Sequence, residues 1–228
     1  MNLDDVIVAD RVDAALPLEE RRQAGRLARA HVPRSSQADW VPPGDRPDPV
    51  AFVREADRGR VADLLPLRYT RMAASPFAFL RGAAALMARD LSSTPTTGWR
   101  VQACGDAHLA NFGTFATPER ELVFDLNDFD ETSRGPWEWD LKRLATSVML
   151  VARANGLPAA AGTSAVVAMA RSYRLAVTGY AAAGYLATFY AKLDAWTLRS
   201  PAYWLTRSPW RIVRRARPPL SASAGARF

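Results

Sequence analysis

The sequence predicts an α+β protein in which a small β-element lies between a helical N-terminal part and a mainly helical C-terminal part. Apolar residues follow helical spacing in much of the chain, whereas apolar and polar residues alternate in parts of the segment between positions 99 and 130. The 228 residues, 49% of them hydrophobic and 23% charged, are typical of one folded domain or of two small ones.

The N-terminal part is predicted to be helical, with one irregular connector. An amphipathic helix is expected over residues 17–30, and the Pro-, Ser- and Gly-rich segment after it should be irregular. Pro49 is expected to begin a short helix, because proline fits the first helical turn. Residues 77–91 are predicted to begin as a strand or extended segment and to continue as a helix.

The β-element and the C-terminal helices follow. WRVQACGD predicts a strand, and FGTFA and ELVFDLNDFD predict the two arms of a hairpin around residues 117–120. Beyond Pro136 we expect a helix that stops at Gly156. A longer Ala- and Tyr-rich helix is expected over about residues 162–195, packed on both sides.

The formal net charge of +7 arises in the C-terminal tail. Residues 199–228 carry seven arginines and no acid, whereas the rest of the chain has equal numbers of basic and acidic residues. Such a tail can bind nucleic acid through the phosphates, so weak nucleic-acid binding by the tail is one alternative function. Lys142 and Lys192 are the only lysines of the chain.

The composition excludes several classes of protein. No stretch approaches the roughly 18 uninterrupted apolar residues of a membrane helix, and the acidic N-terminus is unlike a signal peptide. We therefore expect a cytoplasmic protein without a membrane partner. The single cysteine, Cys104, excludes an internal disulfide and a cysteine zinc cluster, and two histidines are too few for a histidine-rich metal site.

Polar side chains concentrate between positions 105 and 140. Asp125, Asp128 and Asp130 lie among apolar residues in the stretch VFDLNDFDE, where acids are costly to bury unless they meet a cation or hydrogen-bond donors. Asp128 and Asp130 are predicted to share one face of a strand, with Asp125 on the other. Carboxylate and amide oxygens suit a hard cation, so we expect Mg²⁺.

Asp106 and Asn111 have the D-x-x-x-x-N spacing of a kinase-type catalytic loop. In such a loop the aspartate orients the acceptor hydroxyl, and the amide oxygen five residues later holds a metal ion. A following hairpin can return a second metal ligand, here Asp128, to the same point. Asp106 as a turn residue, Asn111 as a cap, and Asp125 or Asp130 in place of Asp128 remain alternatives.

Longer motifs carry a resemblance to known families. GDAHLANF, NDFDE and GPWEWDL resemble motifs of aminoglycoside and choline phosphotransferases, which have the protein-kinase-like fold. Together with LPLRYTRMAASPFAFLRGAA, these segments resemble the bacterial domain of unknown function 2252 family, from about residue 48 to residue 196.

The resemblance implies a kinase-like domain with a small β-element and a mainly helical C-lobe. Its expected divisions are an N-terminal helix and connector at 1–47, the domain at 48–198 (N-lobe part about 48–98, catalytic and metal loops 99–140, C-lobe helices 137–196) and an irregular basic tail at 199–228.

Site roles are implied in the same way. Asp106 matches the catalytic-loop aspartate, and His108 beside it is expected to brace the loop by hydrogen bonds. Asn111 and Asp128 match the metal-binding residues, with Asp130 as a further candidate ligand. Asp140 matches a helix aspartate that supports the loop from below.

The chain departs from the resembling families in two ways. It has neither a lysine before Lys142 nor a G-x-G-x-x-G loop, so an arginine is expected on the nucleotide phosphates, because guanidinium binds phosphate bidentately. Arg81 is the first candidate, and Arg68 or Arg71 is the second. The other interpretation of Arg81 is a salt bridge to an acid in the acidic cluster at residues 125–131. The resembling family also continues further at its C-terminal side, so we expect a C-terminally truncated member.

Two functions follow as hypotheses. The first is a Mg²⁺- and ATP-dependent phosphotransferase that acts on a hydroxyl acceptor of unknown identity. The second is a catalytically inactive, pseudokinase-like module that binds a nucleotide or a partner, which the missing lysine and glycine loop favour.

Overall fold

The computed structural model describes residues 16–194, and this part of the chain is helical with two small sheets. The helices are α1 (Leu18–His31), α2 (Pro49–Ala56), α3 (Leu65–Ala73), α4 (Pro76–Gly82), α5 (Ala84–Leu91), α6 (Trp137–Ala154), α7 (Ala159–Ala183) and α8 (Tyr185–Phe189). The strands are β1 (Arg100–Ala103), β2 (Phe112–Ala116), β3 (Leu122–Leu126) and β4 (Ser133–Pro136). The observed elements confirm the α+β class. The predicted tail at 199–228 lies outside the described residues.

The chain divides into two compact units. The first contains the residues up to Phe112 together with Leu126–Ala170, and the second contains Gly113–Asp125 together with the residues from Arg171 onward. Every candidate site residue from Arg68 to Asp140 belongs to the first unit, except Asp125.

Local capping explains where the short helices of the first unit begin. Asp48 accepts a hydrogen bond from the Ala51 N–H at 2.8 Å, and Pro49 occupies the first turn of α2. The helix predicted at 17–30 and the helix predicted from Pro49 are confirmed.

The prediction of a strand or extended segment from residue 77 is wrong. Ser75 caps the Ala78 N–H at 3.0 Å, Pro76 follows at the first helical position, and the segment is helical from there to Gly82. The alternation of Phe77 and Phe79 with alanine favours a strand locally, but the cap and the proline favour a helix.

The helices of residues 48–98 form a small apolar core. Val53, Met72, Ala83 and Leu86 are buried together, with Tyr69 among the partly buried residues around them. The irregular connector before α2 is attached to the end of α5, where Arg46 binds both carboxylate oxygens of Asp90 at 2.6 and 2.8 Å. Residues 48–98, which the sequence assigns to an N-lobe, form helices and turns in this structure.

A short antiparallel sheet positions the polar segments of the first unit. β1 pairs with β4 from Arg100 opposite Pro136 to Ala103 opposite Ser133. The loop after β1 contains Asp106, and α6 begins directly after β4, so the sheet brings the start of α6 to the start of this loop. The strand at β1 and the helix ending before Gly156 are confirmed, whereas the pairing with β4 is not indicated by the sequence SRGP.

The second unit contains most of the predicted hairpin, the second half of α7 and α8. β2 and β3 form a two-stranded sheet, and Val123 also bridges to Asp194. The long helix was expected at about 162–195, but α7 ends at Ala183 because Gly184 has φ +77°, outside helical geometry.

Most residues of α7 are exposed, including Val167 and Val177, so the expectation of packing on both sides is wrong. Its alanines reflect helix propensity rather than burial. Neither α7 nor another helix within residues 16–194 combines the length and apolar character that a membrane-spanning helix needs.

Candidate functional site

The loop at residues 104–111, here called the polar loop, is held by helix α6. Asp140, in the first turn of α6, accepts hydrogen bonds from the Cys104 N–H at 2.7 Å and from the Gly105 N–H at 3.0 Å. Two turns further along, Ser147 Oγ accepts from the Leu109 N–H at 3.1 Å. The start and the middle of the loop are therefore attached to one helix. This is the contact that the resemblance implies for Asp140, and its role in a reaction stays a prediction.

The acidic turn at residues 127–131 lies directly against the polar loop. The Asn127 N–H donates to the Asn111 carbonyl at 3.1 Å, and the Cys104 thiol donates to the Asp128 carbonyl at 3.5 Å. Gly105 has φ +83°, and the backbone of Glu131 occupies the space that a β-carbon on Gly105 would need. Glycine is required here for both reasons. The two segments that the sequence nominates thus meet through their backbones.

The carboxylate of Asp106 forms an ion pair with Arg143 of α6. Arg143 Nε and one terminal nitrogen lie 2.6 and 2.5 Å from Asp106 Oδ1. The same guanidinium donates to the Leu80 carbonyl at 2.6 Å. The side chains of Arg143 and Asp106 are 3% and 14% exposed. One carboxylate oxygen is therefore committed to a buried cation, and Oδ2 is the oxygen that remains for other contacts.

His108 is buried beside this pair. It is 2% exposed, its Nε2 lies 3.5 Å from Asp106 Oδ2, and its ring meets Phe77 edge to face with centroids 6.0 Å apart. Its Nδ1 has no hydrogen-bond partner among the described residues. Burial lowers the pKa of His108; Asp106 opposes this shift, while the positive charges of Arg143 and Arg81 add to it. A neutral imidazole that supports Asp106 agrees with these contacts.

Acidification should therefore destabilise the folded chain through His108. Because its pKa is lowered from 6.5 in the folded state, the unfolded chain binds the proton first as pH falls below about 6.5. The free energy of unfolding should then decrease by up to about 1.4 kcal/mol per pH unit. Urea unfolding between pH 7.5 and 5.0 measures this slope. His108→Gln should flatten it and His31→Gln, at an exposed helix end, should retain it; equal slopes in both variants would contradict the assignment.

Asn111 is buried and uses its amide nitrogen within the loop. Nδ2 donates to the Asp106 carbonyl at 2.9 Å, which fixes the two ends of the D-x-x-x-x-N segment relative to each other. Because the nitrogen faces the loop, the amide oxygen is the atom of Asn111 that can face a cation.

Asp128 and Asp130 lie in an exposed turn, and the prediction that they share a strand face is wrong. β3 ends at Leu126, and Asp128 Oδ1 instead accepts a hydrogen bond from the Asp130 N–H at 3.4 Å. No group of three or more His, Cys, Asp or Glu side chains within residues 16–194 is arranged to hold a metal ion. The Asn111 amide oxygen and the carboxylates of Asp128 and Asp130 are donors of the kind that Mg²⁺ takes, together with several waters, in its protein sites.

The three candidate arginines have different surroundings. Arg68 is bound by Asp57 at 3.1 Å and by the Gly82 carbonyl at 2.7 Å. Arg81, at the end of α4, is exposed and lines a cavity together with Arg68, whereas Arg71 is exposed and does not line it. The salt bridge from Arg81 to the acidic cluster is not formed among the described residues.

Arg143, Ser147 and Gly105 are the site residues that sequence reasoning missed. Asp140, Arg143 and Ser147 are spaced at i, i+3 and i+7, which places them on one face of a helix. That spacing, directly after a loop rich in polar residues, is the signal that could have indicated Arg143 and Ser147.

Fold and site together define a class: an α+β protein with a polar centre built from a loop after a short strand, an acidic turn against it and a supporting helix. The chain belongs to the bacterial family described as uncharacterized protein conserved in bacteria (DUF2252), which matches residues 60–211. This match spans more than half of the chain and confirms the family that the motifs predict. The comparisons with curated proteins and with solved structures find no match, so the kinase-like fold stays a prediction.

Proposed function

We propose that this chain is a Mg²⁺- and ATP-dependent phosphotransferase with a kinase-like fold, acting on a hydroxyl acceptor. The observation that carries the proposal is the attachment of the acidic turn to the polar loop, through the Asn127–Asn111 hydrogen bond and the Gly105–Glu131 contact. Phosphoryl transfer needs oxygens from two such segments around one reacting group. A cytoplasmic location is part of the proposal, because ATP is available there.

The residues have separate roles in this proposal. Asn111 and Asp128 would hold Mg²⁺, with Asp130 adjacent, and the bound ion would neutralise charge on the transferred phosphoryl group. Asp106 Oδ2 would accept a hydrogen bond from the acceptor hydroxyl and orient it for attack. Arg143 holds Oδ1, and Asp140 holds the loop backbone, so the Asp106 carboxylate keeps one orientation.

The full-length chain should show Mg²⁺-dependent stabilisation by ATP and slow phosphate release. Asp128→Asn should abolish the Mg²⁺ dependence, whereas Asp63→Asn, an exposed acid outside the site, should leave it unchanged. Asp106→Asn should lower turnover by about a hundredfold while ATP and Mg²⁺ still bind. Thermal shift and a phosphate-release assay measure both effects. Wild-type protein without any Mg²⁺-dependent ATP binding would remove the proposal.

A second function, a pseudokinase-like nucleotide-binding module, is favoured by the Asp106–Arg143 ion pair. Arg143 occupies one carboxylate oxygen of Asp106, so only the other oxygen could face an acceptor hydroxyl. In this case ATP and Mg²⁺ should stabilise the wild-type chain without phosphate release, and Asp128→Asn should remove that stabilisation.

A further inference from the structure

A cavity of about 180 Å³ lies beside α2 and the start of α5, and Glu131 of the acidic turn is part of its lining. Its charged lining consists of Asp57, Arg60, Arg68, Arg81 and Glu131. Apolar side chains of α2 and α5 form the rest of the wall, including Phe52 and Leu86. Three guanidinium groups against two carboxylates give this cavity an excess of positive charge.

Asp57 fixes two of the three arginines. Its side chain is 2% exposed; Arg60 Nε lies 2.9 Å from Oδ1, and Arg68 Nε lies 3.1 Å from both carboxylate oxygens. Arg68 also donates a hydrogen bond to the Gly82 carbonyl. Arg60 contacts Asp57 through Nε and is about half exposed, so its terminal nitrogens remain available at the cavity.

Arg81 supplies the uncompensated charge. Arg81 forms no hydrogen bond or ion pair within the described part of the chain. It follows Leu80 in α4, whose carbonyl accepts a hydrogen bond from Arg143. An arginine with all five donors free, next to two arginines held by a buried acid, is an arrangement suited to an anion with several oxygens.

Glu131 is the one acid in this cavity that is free to move away. Its Oε1 lies 4.0 Å from Arg60, and its side chain is about half exposed. Its backbone, by contrast, is fixed against Gly105. An anion in the cavity would therefore replace the Glu131 carboxylate at Arg60, and would lie next to the acidic turn.

We propose that this cavity binds the polyphosphate chain of a nucleotide, with Arg81 and Arg60 as contact residues, Asp57 as the positioning residue and Glu131 as a competing intramolecular anion. The inference rests on the proposed function, because it supplies the phosphate contacts that the missing lysine leaves open. It differs from the sequence expectation by assigning Arg60 and by excluding Arg71, while Arg68 serves mainly as a structural partner of Asp57.

The test is calorimetric binding of tripolyphosphate, ATP and adenosine to the full-length chain without Mg²⁺. Tripolyphosphate and ATP should bind, and adenosine should bind far more weakly. Arg81→Gln and Arg60→Gln should each weaken tripolyphosphate binding on the order of tenfold. Glu131→Gln should strengthen it about threefold, because the competing charge is removed. Arg54→Gln, an exposed arginine of α2 outside the cavity, is the matched control and should change nothing.

Three results would overturn the inference: no binding of tripolyphosphate, equal binding by wild type and Arg81→Gln, or adenosine binding as tightly as ATP. An unchanged or weaker affinity in Glu131→Gln would overturn the competing role of Glu131. The assay contains no Mg²⁺ and measures no turnover. Arg81-dependent binding in a chain that never releases phosphate would therefore refute the transferase and still support this site. Phosphate release without Arg81-dependent binding would refute this site alone.

Discussion

Replacing Arg143 by methionine is expected to lower the free energy of unfolding by about 3–5 kcal/mol, because the substitution leaves the carboxylate of Asp106 unpaired in a largely buried position. It also removes the donor to the Leu80 carbonyl, which joins α4 to α6. Methionine has similar length, so the loss reports the missing charge and donors rather than a large cavity. Urea unfolding at pH 7.5 measures the effect.

A second substitution separates the ion pair from general disruption of α6. Asp106→Asn combined with Arg143→Met should lose less stability than the sum of the two single changes, because no unpaired charge remains. Arg153→Met, at an exposed position in the last turn of α6, should stay within about 0.5 kcal/mol of the wild type. An Arg143→Met protein as stable as Arg153→Met would show that the Asp106 ion pair does not support the fold.

Gly105→Ala should have the second large effect, on both stability and the site. A β-carbon at this position would lie 2.7 Å from the carbonyl carbon of Glu131 and even closer to its oxygen, so the acidic turn would have to move away from the polar loop. Left-handed strain adds to this displacement, because Gly105 has φ +83°. The combined cost is expected to be about 2–5 kcal/mol.

Gly98→Ala is the matched control for this effect. Gly98 has φ +82°, nearly that of Gly105, but no atom lies within 4 Å of the position its β-carbon would take. The control should therefore lose only about 1 kcal/mol, from backbone strain alone. Hydrogen exchange provides a local measurement: the Asn127 amide, which donates to Asn111, should exchange faster in Gly105→Ala only. Equal losses in the two variants would contradict the close packing of the turn on the loop.

The elements with strong local signals are those that the sequence predicted correctly. Helix α2 begins where an Asp cap precedes Pro49, and α6 ends at Ala154, two residues before Gly156 with φ +67°. β1 and the hairpin at 112–126 show alternation or a turn sequence. The start of α4 is predicted wrongly because its alternating phenylalanines favour a strand, while the cap that makes it helical involves only Ser75 and the Ala78 N–H.

The candidate site divides along the same line. Residue types and spacing alone nominate Asp106, Asn111 and Asp128 as site residues. The motifs that contain them also predict the family, whose match covers residues 60–211. The sequence also places Asp140, Arg143 and Ser147 on one helix face. Tertiary structure decides which carboxylate meets which distant guanidinium: Arg143 lies 37 residues from Asp106, and Arg68 lies 11 residues from Asp57. Such pairs depend on how helices and the β1–β4 sheet come together, and the pattern along a chain carries no record of those distances.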